Sequence, residues 1–241
     1  RLVKINPKVS AYQVMLSEAY LLFERLEDAA DTATKAIKLN ALNPYAYYRL
    51  ARVYYEIGMY REAVETLQKS VEMKPDAGEI YFYYGQSLYK MGNSPQAIVN
   101  LREAVRLMPD NTFALYTLGN ALNDDARYEE ALEPLRRAEK LTTNNVDIKS
   151  ALSSALVESG NYDEGLKLLQ EVDKLRPQNE IIQMLIKVAA ARKKGVGEIE
   201  KVKQFVASNP NDAKAKMYLG DLYRYTGNID EATKLKLEAF K

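Results

Sequence analysis

The chain has 241 residues, of which 47% are hydrophobic, and a formal net charge of +1. It contains no cysteine and no histidine, which excludes disulfides, thiolate metal sites, thiol nucleophiles and imidazole acid–base chemistry. The balanced charge provides no global field for nucleic acid or anionic membranes, and no apolar run reaches the roughly 18 residues of a membrane span.

One period runs along the whole chain. Prolines at positions 7, 75, 109 and 177 are separated by multiples of 34 residues, and Pro210 comes one residue early. Two alanine rows, which begin at Ala29 and Ala36, follow the same step. Several independent rows with a common period predict a repeat architecture. Glycines keep this step as well, with the last one residue early, at Gly58, Gly92, Gly160 and Gly227.

Each period contains a predicted helical hairpin. Apolar residues recur at helical spacing from Tyr47 to Tyr54, and Gly58 then permits a tight turn. A second apolar stripe begins at Ala63, and Pro75 ends it because the residue before a proline is disfavoured in the helical region. The alanine rows indicate close approach of the two helices, so we predict a wholly helical, all-α fold without a sheet.

In chain order, residues 1–9 are interpreted as the tail of an earlier unit cut in mid-helix, since the chain opens with Arg1. The first full unit has Glu24 in place of the turn glycine. The sixth unit is degenerate: Lys187 stands where a small residue is usual, Phe205 falls on an alanine row, and the predicted turn at 193–197 contains two glycines. The predicted units of a single solenoid over 10–241 are 10–43, 44–77, 78–111, 112–145, 146–179, 180–212 and 213–241.

This pattern resembles the tetratricopeptide repeat. The resemblance is carried by the glycine, alanine and proline rows and by the pairs Leu50-Ala51, Tyr84-Gly85 and Leu118-Gly119. An aromatic residue, Tyr47 or Tyr81, stands early in the first helix before the first two pairs. The resemblance covers essentially the whole chain. It implies a right-handed superhelical α-solenoid of stacked helix-turn-helix hairpins, in which the first helix of each hairpin faces a concave groove.

The sequence lacks the residues that two recognition modes known in that family require. The groove positions expected to clamp a terminal carboxylate carry Tyr48, Arg52 and Tyr83. The row that would form a ladder of asparagines includes Arg49, Tyr83 and Thr117. Helical-hairpin proteins that read RNA base by base are the rival family, but their period is usually longer.

The sequence offers no catalytic constellation. Gly195-Val196-Gly197 lacks the other residues of a phosphate loop and is interpreted as a turn. Asp124-Asp125 and Glu129-Glu130 are interpreted as solvated helix ends, and the basic residues near Arg192 alternate with acidic ones. We therefore predict no enzyme, no cofactor, no metal site, no nucleic-acid partner and no membrane insertion.

Six tyrosines lie between residues 45 and 60, and their helical phase separates them. Tyr47 and Tyr54 share the face that is expected to be buried, and Tyr60 is expected to pack against its hairpin. The other face is predicted to line the groove, although filling of space between first helices is the alternative for each residue. The predicted partner-binding set is Tyr45, Tyr48, Arg52, Tyr55, Phe82, Gln86, Tyr89, Phe113, Tyr116, Asn120 and Asn123.

Aromatic, arginine and amide side chains of this kind are typical of protein interface hot spots. The preferred hypothesis is a non-enzymatic scaffold that binds a peptide or protein segment in its groove. The alternatives are self-assembly or complex assembly through the ends or the convex face, and a regulatory repeat region of a larger enzyme. No signal peptide is visible; the compartment is not predicted, with the cytoplasm slightly favoured.

Overall fold

The computed structural model describes residues 6 and 8–239, apart from the side chain of residue 225. Within that range the chain forms thirteen α-helices and no strand, which confirms the predicted all-α repeat fold. The predicted remnant at 1–9 lies outside the described residues except for 6, 8 and 9. The helices are α1 (Ser10–Leu22), α2 (Leu26–Leu39), α3 (Pro44–Glu56), α4 (Tyr60–Glu72), α5 (Gly78–Lys90), α6 (Ser94–Leu107), α7 (Thr112–Asp124), α8 (Tyr128–Leu141), α9 (Val146–Glu158), α10 (Tyr162–Leu175), α11 (Glu180–Ser208), α12 (Ala213–Tyr225) and α13 (Ile229–Ala239).

The chain divides into two compact units, the first ending at Thr143 and the second beginning at Asn144. In the first unit, consecutive helices pair as hairpins, α1 with α2, α3 with α4, α5 with α6 and α7 with α8. Neighbouring hairpins pack through α2 on α3, α4 on α5 and α6 on α7. In the second unit, α9 pairs with α10 and α12 pairs with α13. The single solenoid over 10–241 stays a prediction.

The turn inside each hairpin contains one residue in the left-handed backbone region. Glu24 and Ala126 adopt this conformation, with φ of 56° and 57°, at the two places where the repeat lacks its glycine. In the hairpin of α3 and α4, the Met59 N–H donates a hydrogen bond to the Tyr54 carbonyl at 2.8 Å, which closes the end of α3. The conformation therefore belongs to the position in the repeat. Glycine occupies it with φ between 78° and 91° at Gly58, Gly92, Gly160 and Gly227.

Polar side chains mark where the first helices of the hairpins begin. Asn43 Oδ1 accepts a hydrogen bond from the Tyr45 amide at 3.2 Å, and Asn111 Oδ1 accepts one from the Ala114 amide at 3.0 Å. These contacts satisfy helix N–H groups that have no partner within the helix. Ala77 holds the equivalent place before α5 and offers no side-chain acceptor. The same cap recurs at Asn145, Asn179 and Asp212.

Close approach of paired helices depends on small residues at fixed positions. An added Cβ at Gly85 in α5 would lie 2.7 Å from Cγ of Leu101 in α6, closer than carbon atoms can pack. In the neighbouring hairpin Ala51 is fully buried against Leu67 of α4. The predicted alanine row has no exposure in the first unit, at Ala29, Ala63, Ala97 and Ala131.

Residues 180–208 form no hairpin. The predicted turn at 193–197 is wrong: α11 is one uninterrupted helix with Gly195 and Gly197 in its interior. The physical reason lies in the small residues just described, because the counterpart of buried Ala51 is Lys187, which is exposed. A hairpin would bury the ammonium group of Lys187. That desolvation outweighs the roughly 1 kcal/mol that each interior glycine costs a straight helix.

Candidate aromatic cavity

A cavity of about 640 Å³ opens in the first unit between the first helices of neighbouring hairpins. α3 and α5 supply most of its wall, and α1, α7 and the loops before α5 and α7 supply the rest. These helices meet because α1 contacts α3, α3 contacts α5 and α5 contacts α7. We call this feature the aromatic cavity. Of the predicted partner-binding set, it gathers Tyr45, Tyr48, Arg52, Tyr55, Phe82, Gln86 and Phe113.

Tyr83 of α5 is the centre of the aromatic contacts in this wall. Its ring centroid lies 5.6 Å from that of Tyr48 and 5.5 Å from that of Tyr55. Phe82 lies edge-on to the same ring at 5.4 Å. Tilted and edge-to-face rings at these distances attract each other beyond the area that they bury. The cluster is therefore a preformed aromatic wall shared by α3 and α5.

Tyr48 is buried, so its prediction as a displayed residue is wrong. Its side chain is 5% exposed and belongs to a core cluster with Ala51, Leu67 and Ile80, although its edge still lines the cavity. Tyr54, predicted to be the buried partner, is only partly buried.

Tyr48 is more buried than Tyr54, contrary to the prediction, because several helices pack around α3. This helix packs on α4 within its hairpin, on α2 of the preceding hairpin and on α5 of the next one. Ala46 and Val53 face the preceding hairpin, while Tyr48 and Ala51 face α4 and α5. A prediction from one buried face could not separate these contacts.

Two arginines of α3 project along the cavity in different electrostatic situations. Arg49 Nη2 lies 2.8 Å from Glu18 Oε2 of α1, and its guanidinium lies 5.0 Å from the centre of the Tyr48 ring. Arg52 lies 5.1 Å from the centre of the Tyr83 ring, and its Nη2 pairs with Glu56 Oε1 of the same helix at 4.0 Å. The buried Nε of each arginine has no hydrogen-bond acceptor. Both cations rest on aromatic faces, which favours them electrostatically.

The tyrosines of the wall keep their protons well above neutral pH. Burial, as the largest cause, raises the pKa of Tyr48 to about 12, against a smaller opposing effect of Arg52. Burial also raises the pKa of Tyr55 to about 12, with smaller contributions from Tyr60 and Glu56. Desolvation disfavours the charged phenolate. These hydroxyls are therefore neutral groups that can donate or accept a hydrogen bond.

The sequence matches the models of one known family. One model of the tetratricopeptide repeat matches residues 20–82 and 122–188, and a second model of the same repeat matches residues 84–146. Together they cover well over half of the chain. The chain belongs to the tetratricopeptide repeat family. This membership supports a repeat scaffold for protein interaction.

Solved structures agree with a tetratricopeptide repeat fold. YrrB, a tetratricopeptide repeat protein with an unusual peptide-binding site, is 21% identical with a TM-score of 0.69, covering 77% of this chain and 96% of its own. MamA is 19% identical with a TM-score of 0.61, covering 68% and 90%. PilF of Pseudomonas aeruginosa is 17% identical with a TM-score of 0.59, covering 95% and 89%. At these identities the likeness establishes the fold. A comparison with curated protein sequences found no match.

The remaining predicted residues lie elsewhere on the tetratricopeptide hairpins. Tyr89, near the end of α5, donates a hydrogen bond from its hydroxyl to Asp124 Oδ2 of α7 at 2.5 Å. Burial and then this bond raise the pKa of Tyr89, to which Tyr116 contributes through its proximity. These residues do not line the aromatic cavity, and neither do the partly buried α7 amides Asn120 and Asn123.

Sequence reasoning left Tyr83 out of the site, and also Arg49, Glu18 and Glu79. The signal for Tyr83 was present, because it stands one repeat after Arg49, in a row that faces the predicted groove. Tyr83 fits neither a carboxylate clamp nor an asparagine ladder, and an aromatic contact at this position was not predicted. Glu18 has no such signal, since its role depends on the contact of α1 with α3.

Across residues 6 and 8–239, no helix is both long and apolar enough to cross a membrane. The same part of the chain contains no cluster of three or more acidic, histidine or cysteine residues that could hold a metal ion.

Proposed function

We propose that this chain is a non-catalytic scaffold whose first unit binds a peptide or protein segment in the aromatic cavity. The observation that carries the proposal is the aromatic wall around Tyr83, which lines open space and on which two arginines of α3 rest. A wall that is already packed loses little side-chain entropy on binding.

Large side chains at the rim remain available for contact. Phe113 is 76% exposed at the start of α7, and Tyr45 is 44% exposed at the start of α3. Both side chains line the cavity, Tyr45 from α3 and Phe113 from α7. Exposed aromatic residues that surround a preformed pocket resemble the anchors that dominate protein interfaces. A segment with apolar side chains would bury them.

The family likeness supports the same proposal. YrrB has a peptide-binding site, and its fold is similar to that of this chain over 77% of its residues. A cavity between first helices is also where side chains from successive repeats converge. The transfer to this chain rests on its own cavity residues, since identity is only 21%.

The test selects short random peptides displayed on phage against the immobilised chain and measures binding of the recovered peptides. Phe113→Ala and Tyr45→Ala should weaken binding about tenfold or more while leaving the melting temperature unchanged, since both residues are exposed. The matched control is Phe205→Ala in α11, which removes another exposed phenylalanine, 52% exposed, from the second unit. Recovery of no peptide, or an equal effect of the control, would contradict the proposal.

Self-association through α11 is a second candidate. Ile181, Met184, Leu185 and Val188 recur at helical spacing on one side of α11, and each is between 38% and 67% exposed. If two copies pack this stripe antiparallel, Glu180 of one copy approaches Lys187 of the other, so the charges at the edges are complementary. Sedimentation should show a concentration-dependent dimer that Met184→Lys abolishes. A monomer at every accessible concentration would exclude this candidate.

A further inference from the structure

The long helix α11 keeps the outside contacts of a hairpin. Ala189 is buried in a cluster with residues of α9 and α10, just as its counterpart Val53, four periods earlier, is buried in a cluster with residues of α1 and α2. A short loop then leads into α12, which contacts α11 as α5 contacts α4. Only the contact between the two halves of α11 is missing, so a closed hairpin would keep the same neighbours.

Two exposed apolar faces would meet if that hairpin closed. In the first unit, the ring of Tyr48 in α3 lies 5.6 Å from the ring of Tyr83 in α5. The counterparts of these residues are Met184 of α11, which is 60% exposed, and Tyr218 of α12, which is 49% exposed. Met217, beside Tyr218, is exposed as well. Removing these side chains from water would favour the closed form.

Two charged residues oppose closure, because they stand where a closed hairpin has small ones. Ser17 Oγ of α1 donates a hydrogen bond to the Ala29 carbonyl of α2 at 2.8 Å, and the counterparts of this pair are Lys187 and Glu198. Closure would therefore bring Lys187 and Glu198 together in the interior. The desolvation of a buried ion pair can exceed its Coulombic gain. In the open helix Lys187 is exposed to water.

We propose that residues 180–225 form a two-state element, in which Lys187 and Glu198 together set the balance between the open helix and a closed hairpin covered by α12. The open helix presents the apolar stripe of α11, and closure covers Met184. A ligand that binds only one of two states shifts the population toward it, so a partner on the stripe holds the open state. This inference goes beyond peptide binding in the aromatic cavity and does not depend on it.

The test measures the distance between two spin labels, which the absence of native cysteine makes specific. Labels on Glu180→Cys and Gln204→Cys are about 36 Å apart along the open helix, at 1.5 Å per residue. In the closed hairpin they should lie within about 20 Å, since paired helices are about 10 Å apart. The ends of a closed hairpin do meet, because Ser70 Oγ donates to the Pro44 carbonyl at 2.8 Å.

The wild-type chain should show mainly the long distance. Lys187→Ala combined with Glu198→Ala should move most of the population to the short distance, while either change alone leaves the other charge unpaired and should keep the long one. The matched control combines Glu200→Ala with Lys203→Ala, which removes another ion pair of α11, at 3.3 Å. A double variant that stays at the long distance, or equal shortening in the control, would overturn the proposal.

A second arm keeps both charges and traps the closed form. A disulfide requires Cα atoms within about 7 Å, whereas Glu180→Cys and Phe205→Cys are about 37 Å apart in the open helix. The control pair, Glu180→Cys with Lys194→Cys, is not brought together by closure. Local unfolding would link the control pair about twofold faster, because its loop is shorter.

Under mild oxidation the 180–205 pair should therefore form the intramolecular disulfide faster than the 180–194 pair. The reverse order, equal rates, or no disulfide between 180 and 205 would contradict the two-state element. This arm decides the question even if the double alanine variant folds poorly. None of these measurements involves the aromatic cavity, so their failure would leave the proposed function intact.

Discussion

Two stretches of one repeat period, 44–72 and 180–208, fold differently. The first is the hairpin of α3 and α4, with Gly58 in a left-handed turn at φ 79°. The second is the single helix α11. Both carry helical apolar stripes, and both begin after an asparagine cap, Asn43 in one and Asn179 in the other.

We infer from this comparison that a row of small residues controls whether the hairpin closes. In the hairpins the residues of this row are buried. Ala51 is 0% exposed and Ser153 is 1% exposed, and the glycines Gly85 and Gly119 are also buried. Only a side chain of that size fits between the paired helices, as the close contact at Gly85 shows. Lys187 carries a charge at this position, and the chain continues as a straight helix that leaves it in water.

The most severe test of this comparison places lysine in the closed hairpin. Ala51→Lys should destabilise the first unit by about 5 kcal/mol or more, because it overpacks the core and buries an unpaired charge. Urea unfolding followed by circular dichroism measures the effect. Ala190→Lys, at an exposed position of α11, is the control and should change stability by less than about 0.5 kcal/mol. Tolerance of Ala51→Lys would contradict the explanation for α11.

The next effect concerns the tyrosines of α3. Tyr48→Ala should cost about 3–5 kcal/mol, as other large core truncations do, because Tyr48 is only 5% exposed. Tyr54→Ala should cost clearly less, since that side chain is only partly buried. Thermal and urea unfolding of the two variants under identical conditions give the ranking. The opposite order would mean that the helical phase predicted from sequence is right and the observed core is not.

The packing of Tyr48 also predicts how stability changes with pH. In the folded chain its pKa is raised from 10.0 to about 12, so the folded state holds the proton more tightly than the unfolded state. The stability associated with that difference is fully present below pH 10 and is lost as the pH rises toward 12, by about 2 kcal/mol. Melting temperatures across this interval measure the loss. Tyr48→Phe should flatten the curve; an unchanged slope would assign the effect to other groups.

The smallest expected effect concerns the residue in the left-handed turn of each hairpin. Gly58→Ala should destabilise the chain by about 1 kcal/mol, because φ is 79° and a Cβ is disfavoured there. Ala126→Gly, at the equivalent turn with φ 57°, should stabilise by about 0.5 kcal/mol. The pair is measured by urea unfolding. Equal signs for the two variants would show that the turns are not equivalent.

The sequence predicted those features that depend on contacts within one period. Gly58 and Pro75 mark chain reversals that are local, and the alanine row is a contact between two helices of one hairpin. Such features are specified by a few residues near each other in the chain.

Features that depend on several neighbours were not predictable in this way. The burial of Tyr48 results from α4 and α5 together, and the pairing of Arg49 with Glu18 requires α1 beside α3. For α11, the sequence revealed the unusual Lys187, but the outcome depended on the balance between burying a charge and extending a helix through two glycines. The identity of lining residues such as Tyr83 required all of these contacts at once.

The left-handed turns have a practical consequence for chemical labelling. A Cβ built at Gly58 or Gly92 meets nothing within 4 Å, and the exposed Glu24 and Ala126 already carry side chains in that backbone conformation. The chain has no native cysteine, so a thiol introduced at Glu24 or Ala126 would be unique. The repeat thereby provides regularly placed attachment points for fluorophores, spin labels or surfaces, each outside the packed helix pairs.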